Sequence, residues 1–148
     1  MSSFADYFDK IYVINLASRR DRRLEVEEQL RRIGLSLNKG RVQLFVADCP
    51  TDAGGFPSKG ARGCFQSHLE MLREALRHRL NRILIFEDDV NFASDFAVRS
   101  KRILGSLSSR PWQMFYGGYY SPVTETREAR RDPKHIQKVT CTASRWCQ

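Results

Sequence analysis

The sequence predicts an α/β fold with a mainly parallel sheet. Two short apolar runs, residues 11–14 and 83–86, lack the alternation of a half-exposed strand and therefore predict strands buried on both faces. Helical patterns follow these strands, and strands alternate with helices along the chain. A length of 148 residues fits one domain whose hydrophobic core needs no disulfide bonds.

The first strand–helix unit begins with the buried strand at residues 11–14. Ser18 and Asp21 have the spacing of a capping box, which predicts that Ser18 caps a helix running to about Ile33. Gly34 is expected to end this helix. The predicted buried face of the helix consists of Val26, Leu30 and Ile33.

A second strand is predicted at residues 42–47, and a loop rich in Gly, Pro, Ser, Asp and Lys follows at residues 49–62. The helix after this loop has the clearest apolar period in the chain. Its predicted buried stripe is Phe65, Leu69, Leu72, Leu76 and Leu80.

The third strand, at residues 83–86, is the second of the two predicted buried strands. A further helix is predicted after it at about residues 94–107. Residues 112–116 predict the last well-defined strand. The charged residues 121–138 predict an irregular loop, and residues 139–142 predict a short strand.

Three carboxylates, Glu87, Asp88 and Asp89, directly follow the third strand, where it should leave the core. Burying uncompensated charge is costly, so the cluster should face solvent, a cation or hydrogen-bond donors. Ligands of open α/β sheets bind at the carboxyl ends of the strands. Alternation along an extended chain predicts that Glu87 and Asp89 point to one side and share Mg²⁺ or Mn²⁺. The alternative is a set of solvated acids that caps the next helix.

Other polar residues are weaker candidates for a site. Asn15 follows the first strand and predicts either a contact to a nucleobase or ribose, or a turn residue. His68 is interpreted as a partly buried, hydrogen-bonded histidine, and Ser67 does not pair with it as a nucleophile because adjacent helix residues point apart. Cations oppose the dipole at the start of the first helix, which suggests an anionic ligand for at least one of them. These cations are Arg19, Arg20, Arg22 and Arg23.

The composition is strongly basic, with 25 Lys and Arg against 17 Asp and Glu and a net charge of +8. This charge favours anionic partners without choosing among them. Charged residues interrupt the amino terminus, so no signal peptide is predicted, and no apolar stretch is long enough to span a bilayer. The expected location is the cytoplasm, with peripheral contact to the inner face of an anionic membrane. The four cysteines lack metal-site spacing and predict reduced thiols, with a Cys141–Cys147 bridge as the alternative.

Three segments in order, residues 11–16 with 21–23, residues 63–69 and residues 83–90, resemble glycosyltransferase family 25, the lipooligosaccharide and collagen galactosyltransferase group. The resemblance runs from about residue 10 to residue 118. It implies a Rossmann-like nucleotide-sugar domain of the GT-A type. It also implies inverting transfer of a hexose such as galactose from a UDP-sugar to a lipooligosaccharide or other glycan.

The resemblance also implies roles for individual residues. The acidic cluster takes the place of the DxD motif of such enzymes, so Glu87 and Asp89 are the expected ligands of Mn²⁺ or Mg²⁺, with Asp89 the best. No residue is assigned as the general base. The expected donor-binding residues are Ile14, Asn15, Leu16, Arg22, Asp48, Ser67, His68 and Asp88.

Residues 1–148 are therefore predicted to form one glycosyltransferase-like domain. Its donor-binding core spans residues 10–120, and residues 121–148 form the charged loop and short strand. Family members usually continue into an acceptor-binding half, so the domain is expected to be shortened at its carboxyl end. A catalytically weak remnant that binds nucleotide sugar is the alternative function.

Two other classes of protein are disfavoured. Residues 83–89 also resemble the first strand of a response-regulator receiver, but Asp132 lies in a charged loop rather than at a later strand end. Nucleic-acid binding is disfavoured because the positive charge is scattered over helices, without an RNP-like strand or a helix-turn-helix pattern. The expected partners are a UDP-sugar donor, a glycan or glycolipid acceptor and an anionic membrane surface.

Overall fold

A computed structural model describes residues 4–117 and confirms the α/β class. Three parallel strands form a sheet in the order β2-β1-β3, and the strands alternate with helices. This Rossmann-like arrangement agrees with the predicted parallel sheet. The elements are a short 3-10 helix at Phe4–Tyr7, β1 at Lys10–Asn15, α1 at Arg20–Arg32, β2 at Val42–Val46, α2 at Lys59–Arg77, β3 at Ile83–Glu87 and α3 at Phe96–Ser108.

The central strand β1 is buried on both faces, as its unbroken apolar run predicts. Ile11 and Val13 belong to a core cluster that also contains Val26 and Leu30 of α1. Residues on the opposite face of β1 pack with Met71 of α2 in a second cluster. The sheet is therefore covered by helices on both faces, and β1 holds the two cores together.

The beginning of α1 differs from the predicted capping box. Arg19, not Ser18, is the capping residue, and it makes no side-chain cap bond. Asp21 instead accepts hydrogen bonds from the Arg19 guanidinium, at 3.0 Å from Nε and 2.7 Å from Nη2. An ion pair with this fork-shaped cation outcompetes the backbone amide that a capping box would use. The end of the helix is confirmed, because Gly34 follows it with a φ of +78°.

The predicted buried stripe of α2 is wrong. Phe65, Leu72 and Leu76 are 54%, 45% and 79% exposed. Small residues line most of the buried face, and a Cβ added at Gly63 would lie 2.5 Å from the backbone oxygen of Asp48. Close approach of the helix to this backbone thus selects the face with small residues over the face with leucines. The buried residues of α2 are Gly60, Gly63, Cys64, Ser67, Met71 and Ala75.

The last predicted strand, at residues 112–116, is also wrong. This segment has no strand conformation, and Met114, Phe115 and Tyr116 are exposed. A strand needs a hydrogen-bonded neighbour, and within residues 4–117 the sheet pairs only β1, β2 and β3. The apolar composition of the segment predicted a strand without supplying that partner.

The remaining predictions have mixed outcomes. The predictions for β2 and α3 hold to within two residues. Cys64 is buried and outside any disulfide, as expected, but Cys49 is disulfide-bonded, so the expectation of four reduced thiols is wrong. The strand predicted at residues 139–142 and the Cys141–Cys147 alternative lie outside the described residues. None of the described helices is long and apolar enough to cross a membrane.

Candidate functional site

The carboxyl ends of β1 and β3 lie side by side, because the two strands are parallel and Ile14 pairs in register with Glu87. Asn15, the last residue of β1, therefore lies beside the acidic residues that follow β3. The edge formed by the carboxyl ends of parallel strands is where ligands of open α/β sheets bind. The predicted site is thus assembled by the topology of the sheet.

Asn15 links the two strand ends. Its Nδ2 donates to Oδ2 of Asp88 at 2.6 Å and to the backbone oxygen of Arg19 at 3.1 Å. The Asn15 side chain is buried, with 4% of the residue exposed. This amide nitrogen is therefore engaged within the protein, where it fixes Asp88 and the entry to α1. The predicted contact from Asn15 to a base or ribose stays a prediction.

Two carboxyls of the acidic cluster have raised pKa values. Burial is the main cause that raises the pKa of Glu87, and the neighbouring Asp89 raises it further. Burial also raises the pKa of Asp88, although the hydrogen bond from Asn15 opposes this shift. Both shifts reflect carboxylates that would gain from a nearby cation.

The turn after β3 changes the predicted arrangement of Glu87 and Asp89. The strand ends at Glu87, and the amide of Val90 donates to the carbonyl of Glu87 at 3.1 Å, which closes a turn. Strand alternation therefore does not continue to Asp89, which is exposed. Glu87 and Asp89 remain near enough for the charge of one to raise the pKa of the other.

The fit of this cluster to a divalent cation depends on how many ligands the protein must supply. No group of three or more His, Cys, Asp or Glu residues within residues 4–117 is arranged to hold a metal. Mg²⁺ typically binds through one or two carboxylates, with phosphate oxygens and waters completing its shell. The oxygen donors of Glu87 and Asp89 fit such a shared cation, and they do not form a cage by themselves.

Arginines from the start of α1 face the cluster. The charges of Arg22 and Arg19 both lower the pKa of Asp88. Arg22 also pairs with Glu25 at 2.9 Å, and its side chain is 28% exposed. The predicted anion-binding arginine therefore lies on the correct edge of the sheet, with one ion pair already formed.

His68 reaches the site from α2. Its Nδ1 lies 2.9 Å from the carbonyl oxygen of Cys64. Because a carbonyl only accepts, Nδ1 carries the proton, and in the neutral ring Nε2 is then a hydrogen-bond acceptor. His68 is close enough to Glu87 to lower the pKa of that carboxyl. The interpretation of a partly buried, hydrogen-bonded histidine is confirmed.

The other predicted donor-binding residues have mainly structural contacts. Ser67 is 1% exposed, and its Oγ accepts from the amide of Asp48 at 2.9 Å. This bond fixes the chain that leaves β2, while the Asp48 residue itself is exposed. Ile14 and Leu16 are buried in the core on the α2 side of the sheet. Their side chains therefore support the strand end, and their predicted contact with a donor stays a prediction.

The sequence reasoning missed two residues that shape the site. Gly63 allows α2 to approach the backbone of Asp48, and its signal was a glycine inside a helical pattern. Arg19 was noted only as one of four cations, yet it positions Asp21 and receives the Asn15 hydrogen bond on its carbonyl. The two-residue spacing of Arg19 and Asp21 at a helix start was the available signal.

An α/β sheet with carboxylates at the carboxyl ends of its strands is typical of domains that bind phosphorylated ligands. The chain belongs to glycosyltransferase family 25, whose model, described as "Glycosyltransferase family 25 (LPS biosynthesis protein)", matches residues 52–139. This match confirms the family that the three sequence segments resemble.

Similar proteins come from vertebrates. The human "Inactive glycosyltransferase 25 family member 3" is 31% identical over 129 residues, covering 75% of this chain and 22% of the relative. Human "Procollagen galactosyltransferase 2" is 28% identical, covering 75% of this chain and 21% of the relative. Zebrafish "Procollagen galactosyltransferase 1" is 30% identical over 132 residues. The chain spans about a fifth of the length of these relatives. No solved structure matches the chain significantly.

Proposed function

We propose that this chain is the donor-binding part of a GT-A type glycosyltransferase, one that binds a UDP-sugar and serves inverting transfer of a hexose such as galactose. Membership of family 25 supports the reaction class. The observation that carries the proposal is the acidic cluster at the carboxyl end of β3, tied to β1 by the bond from Asn15 to Asp88. The proposed acceptor is a glycan or glycolipid.

Charge balance explains why this cluster would need a metal ion. A diphosphate and three carboxylates repel one another unless a cation lies between them. The pKa of Glu87 and of Asp88 is raised mainly by burial and further by the neighbouring carboxylates, which supports a cation at this position. Mn²⁺ or Mg²⁺ held by Glu87 and Asp89 would neutralise it and supply open positions for phosphate oxygens.

The neighbouring groups of the site have distinct proposed roles. Asn15 holds Asp88 in place, which leaves Asp88 oriented toward the ribose or sugar. Arg22 lies beside Asp88 and supplies positive charge for the diphosphate. His68 presents Nε2 as an acceptor for a sugar hydroxyl, because its Nδ1 is bound to the Cys64 carbonyl.

A second function has support of its own. Several relatives are named as inactive members of the family, so binding of a nucleotide sugar without transfer is a coherent alternative. A base within hydrogen-bond reach of the acceptor hydroxyl typically contributes about 10²–10⁴-fold to the rate. No residue is assigned to that task. Donor binding and transfer therefore need separate experiments.

Calorimetric titration of the full chain with UDP, in Mn²⁺ and in EDTA, tests donor binding. Asp89→Asn should abolish the metal-dependent part of the affinity, because it removes the charge of the principal proposed ligand. Glu28→Gln is the matched control, since it removes an exposed carboxylate of α1 whose ion pair within residues 4–117 is with Arg31. Unchanged metal-dependent affinity in Asp89→Asn would refute the proposed metal site.

The cytoplasmic location remains a proposal with an argument on each side. The net charge of +8 favours the anionic inner face of a membrane. The disulfide at Cys49 favours an oxidising compartment, because cytosolic thiols are kept reduced. Fractionation of cells that express a tagged full chain, with thiol labelling of Cys49, decides between these compartments.

A further inference from the structure

A groove far from the acidic cluster combines apolar walls with a cationic rim. It is a cavity of about 920 Å³ between the 3-10 helix, the end of α1 and α3. Its position near residues that precede β1 and β3, such as Tyr7 and Arg82, places it toward the amino ends of the strands. The acidic cluster lies at the opposite ends. The groove is thus separate from the proposed donor site.

One part of the groove is lined by aromatic and aliphatic side chains. Phe96 packs edge-on against Phe4, with ring centroids 5.1 Å apart, and against Phe92 at 4.8 Å. These contacts form a continuous aromatic wall. Apolar cavities of this size hold molecules as large as a drug or a lipid chain. The apolar lining residues are Phe4, Ile33, Phe92, Phe96 and Leu104.

The rim carries an excess of positive charge. Arg32, Arg82 and Lys101 line the groove, against one acid, Asp6. Within residues 4–117, no carboxylate pairs with Arg32 or Lys101, and Arg32 donates only to the Gln29 amide oxygen. Charge complementarity therefore favours an anionic group beside the apolar walls.

A second, more polar cleft lies beside the groove. It has a volume of about 500 Å³ and shares Tyr7, Arg82 and Ser108 with the groove. The cleft adds Arg110 and Trp112, and no acid lines it. Arg82 lies at the junction, with its guanidinium 4.4 Å from the centre of the Tyr7 ring. The shared residues thus lie between the groove and a cleft that adds a further cation, Arg110.

We propose that the groove binds an anionic amphiphile, with its alkyl chain along the aromatic wall and its phosphate head group among Arg32, Arg82 and Lys101. Each buried methylene favours binding, and each nearby cation favours a phosphate. An amphiphile fits the groove better than a free anion does, because a free anion would gain nothing from the aromatic wall. The inference goes beyond the proposed function and does not rest on it, since the cavities use none of the donor-site residues.

Dodecyl phosphate, titrated into the full chain below its micelle concentration, is the direct probe. The double variant Arg32→Ala/Lys101→Ala should weaken its binding at least about tenfold. Lys39→Ala/Lys59→Ala removes the same charge elsewhere on the surface and should change binding less than about twofold. Ala97→Trp places a large ring in the groove from an exposed helical position and should also weaken binding at least about tenfold.

Controls distinguish an amphiphile site from simpler explanations. Inorganic phosphate should bind at least about a hundredfold more weakly than dodecyl phosphate, and dodecyl maltoside should bind at least about tenfold more weakly. Equal affinity for either control ligand overturns the proposal, as does equal weakening by the two double variants. If Ala97→Trp fails to fold, Ala93→Trp replaces it as the occluding substitution. UDP affinity measured on the same variants keeps this test separate from that of the donor site.

Discussion

At the scale of single residues, the geometry of the candidate site depends on the hydrogen bonds that Asn15 donates. Its buried amide binds Asp88 from β3 and the Arg19 carbonyl from the start of α1. A buried charge that loses its donor suffers the full cost of desolvation. The position of Asp88 is therefore set by a neutral amide, which neither competes with a bound cation nor adds charge to the cluster.

Replacing Asn15 with Leu should lower the free energy of unfolding by about 1–3 kcal/mol, because Asp88 and the Arg19 carbonyl both lose a donor. Urea denaturation monitored by circular dichroism measures this loss. The double variant Asn15→Leu/Asp88→Leu completes the cycle and should recover part of the stability. Strict additivity of the two single substitutions would contradict the claim that these side chains are coupled.

Glu87 should make metal-free stability depend on pH in a specific direction. Burial raises its pKa in the folded protein above the ordinary value of 4.5. The folded state therefore holds this proton more tightly, so the favourable contribution is present below pH 4.5 and is lost as pH rises through the raised pKa. Glu87→Gln removes the buried charge and should be more stable than the parent chain at pH 7 in EDTA.

If Glu87 is a metal ligand, Mn²⁺ should reverse the order of stability of the parent chain and Glu87→Gln. Thermal melts at pH 7 should show that Mn²⁺ stabilises the parent chain and leaves Glu87→Gln unchanged. Melts at pH 4 in EDTA should show that the difference between the two proteins has narrowed. A Glu87→Gln variant that is less stable than the parent in EDTA at pH 7 would contradict the assigned cause of the pKa shift.

At the scale of elements, α2 shows how backbone contact overrides an apolar pattern. Its leucine stripe predicted the wrong buried face, because Gly60, Gly63 and Ser67 permit closer packing on the sheet. Met71, on the same face of α2, is fully buried in the cluster that contains Tyr12 and Ile14 of β1. Glu74 of α2 also forms an ion pair with Lys10 of β1. Burial, and then the charge of Glu74, raise the pKa of Tyr12 to about 12.

Substitutions on the two faces of α2 should therefore have very different effects. Met71→Ala should cost about 2–5 kcal/mol of unfolding free energy, because it leaves a cavity in the core. Leu76→Ala should change stability by less than about 0.5 kcal/mol, since the side chain is exposed. Urea titration of both variants makes the comparison. Equal losses of unfolding free energy in the two variants would indicate that the leucine stripe is buried after all.

The elements that the sequence predicted correctly share one property, which is that local information decides them. Buried apolar runs predicted β1 and β3, and Gly34 predicted the end of α1. The errors concern partners that are distant in sequence. Strand pairing decides residues 112–116, and contact with Asp48 decides the buried face of α2. The acidic cluster was predicted because its charge is local, whereas the bond from Asn15 to Asp88 spans 73 residues.

At the scale of the whole molecule, two sets of groups lie at opposite ends of the sheet. The carboxyl ends of the strands carry the acids, and the amino ends border the groove with its cationic rim. This separation of charge explains how a chain with a net charge of +8 keeps a negative site suited to a cation. A phosphorylated donor and an anionic amphiphile would therefore not compete for one surface.

If the described residues hold the donor as proposed, we expect the chain to bind UDP-sugar and to transfer sugar slowly on its own. Orienting an acceptor is worth up to about 7–11 kcal/mol of the barrier, and a general base adds about 10²–10⁴-fold. The full chain, UDP-galactose, Mn²⁺ and a galactose-accepting oligosaccharide should yield donor hydrolysis in excess of transfer. Asp89→Asn should abolish the hydrolysis and thereby assign it to the acidic cluster. Rapid formation of the extended oligosaccharide by the parent chain, lost in Asp89→Asn, would instead show that these residues contain a complete transferase.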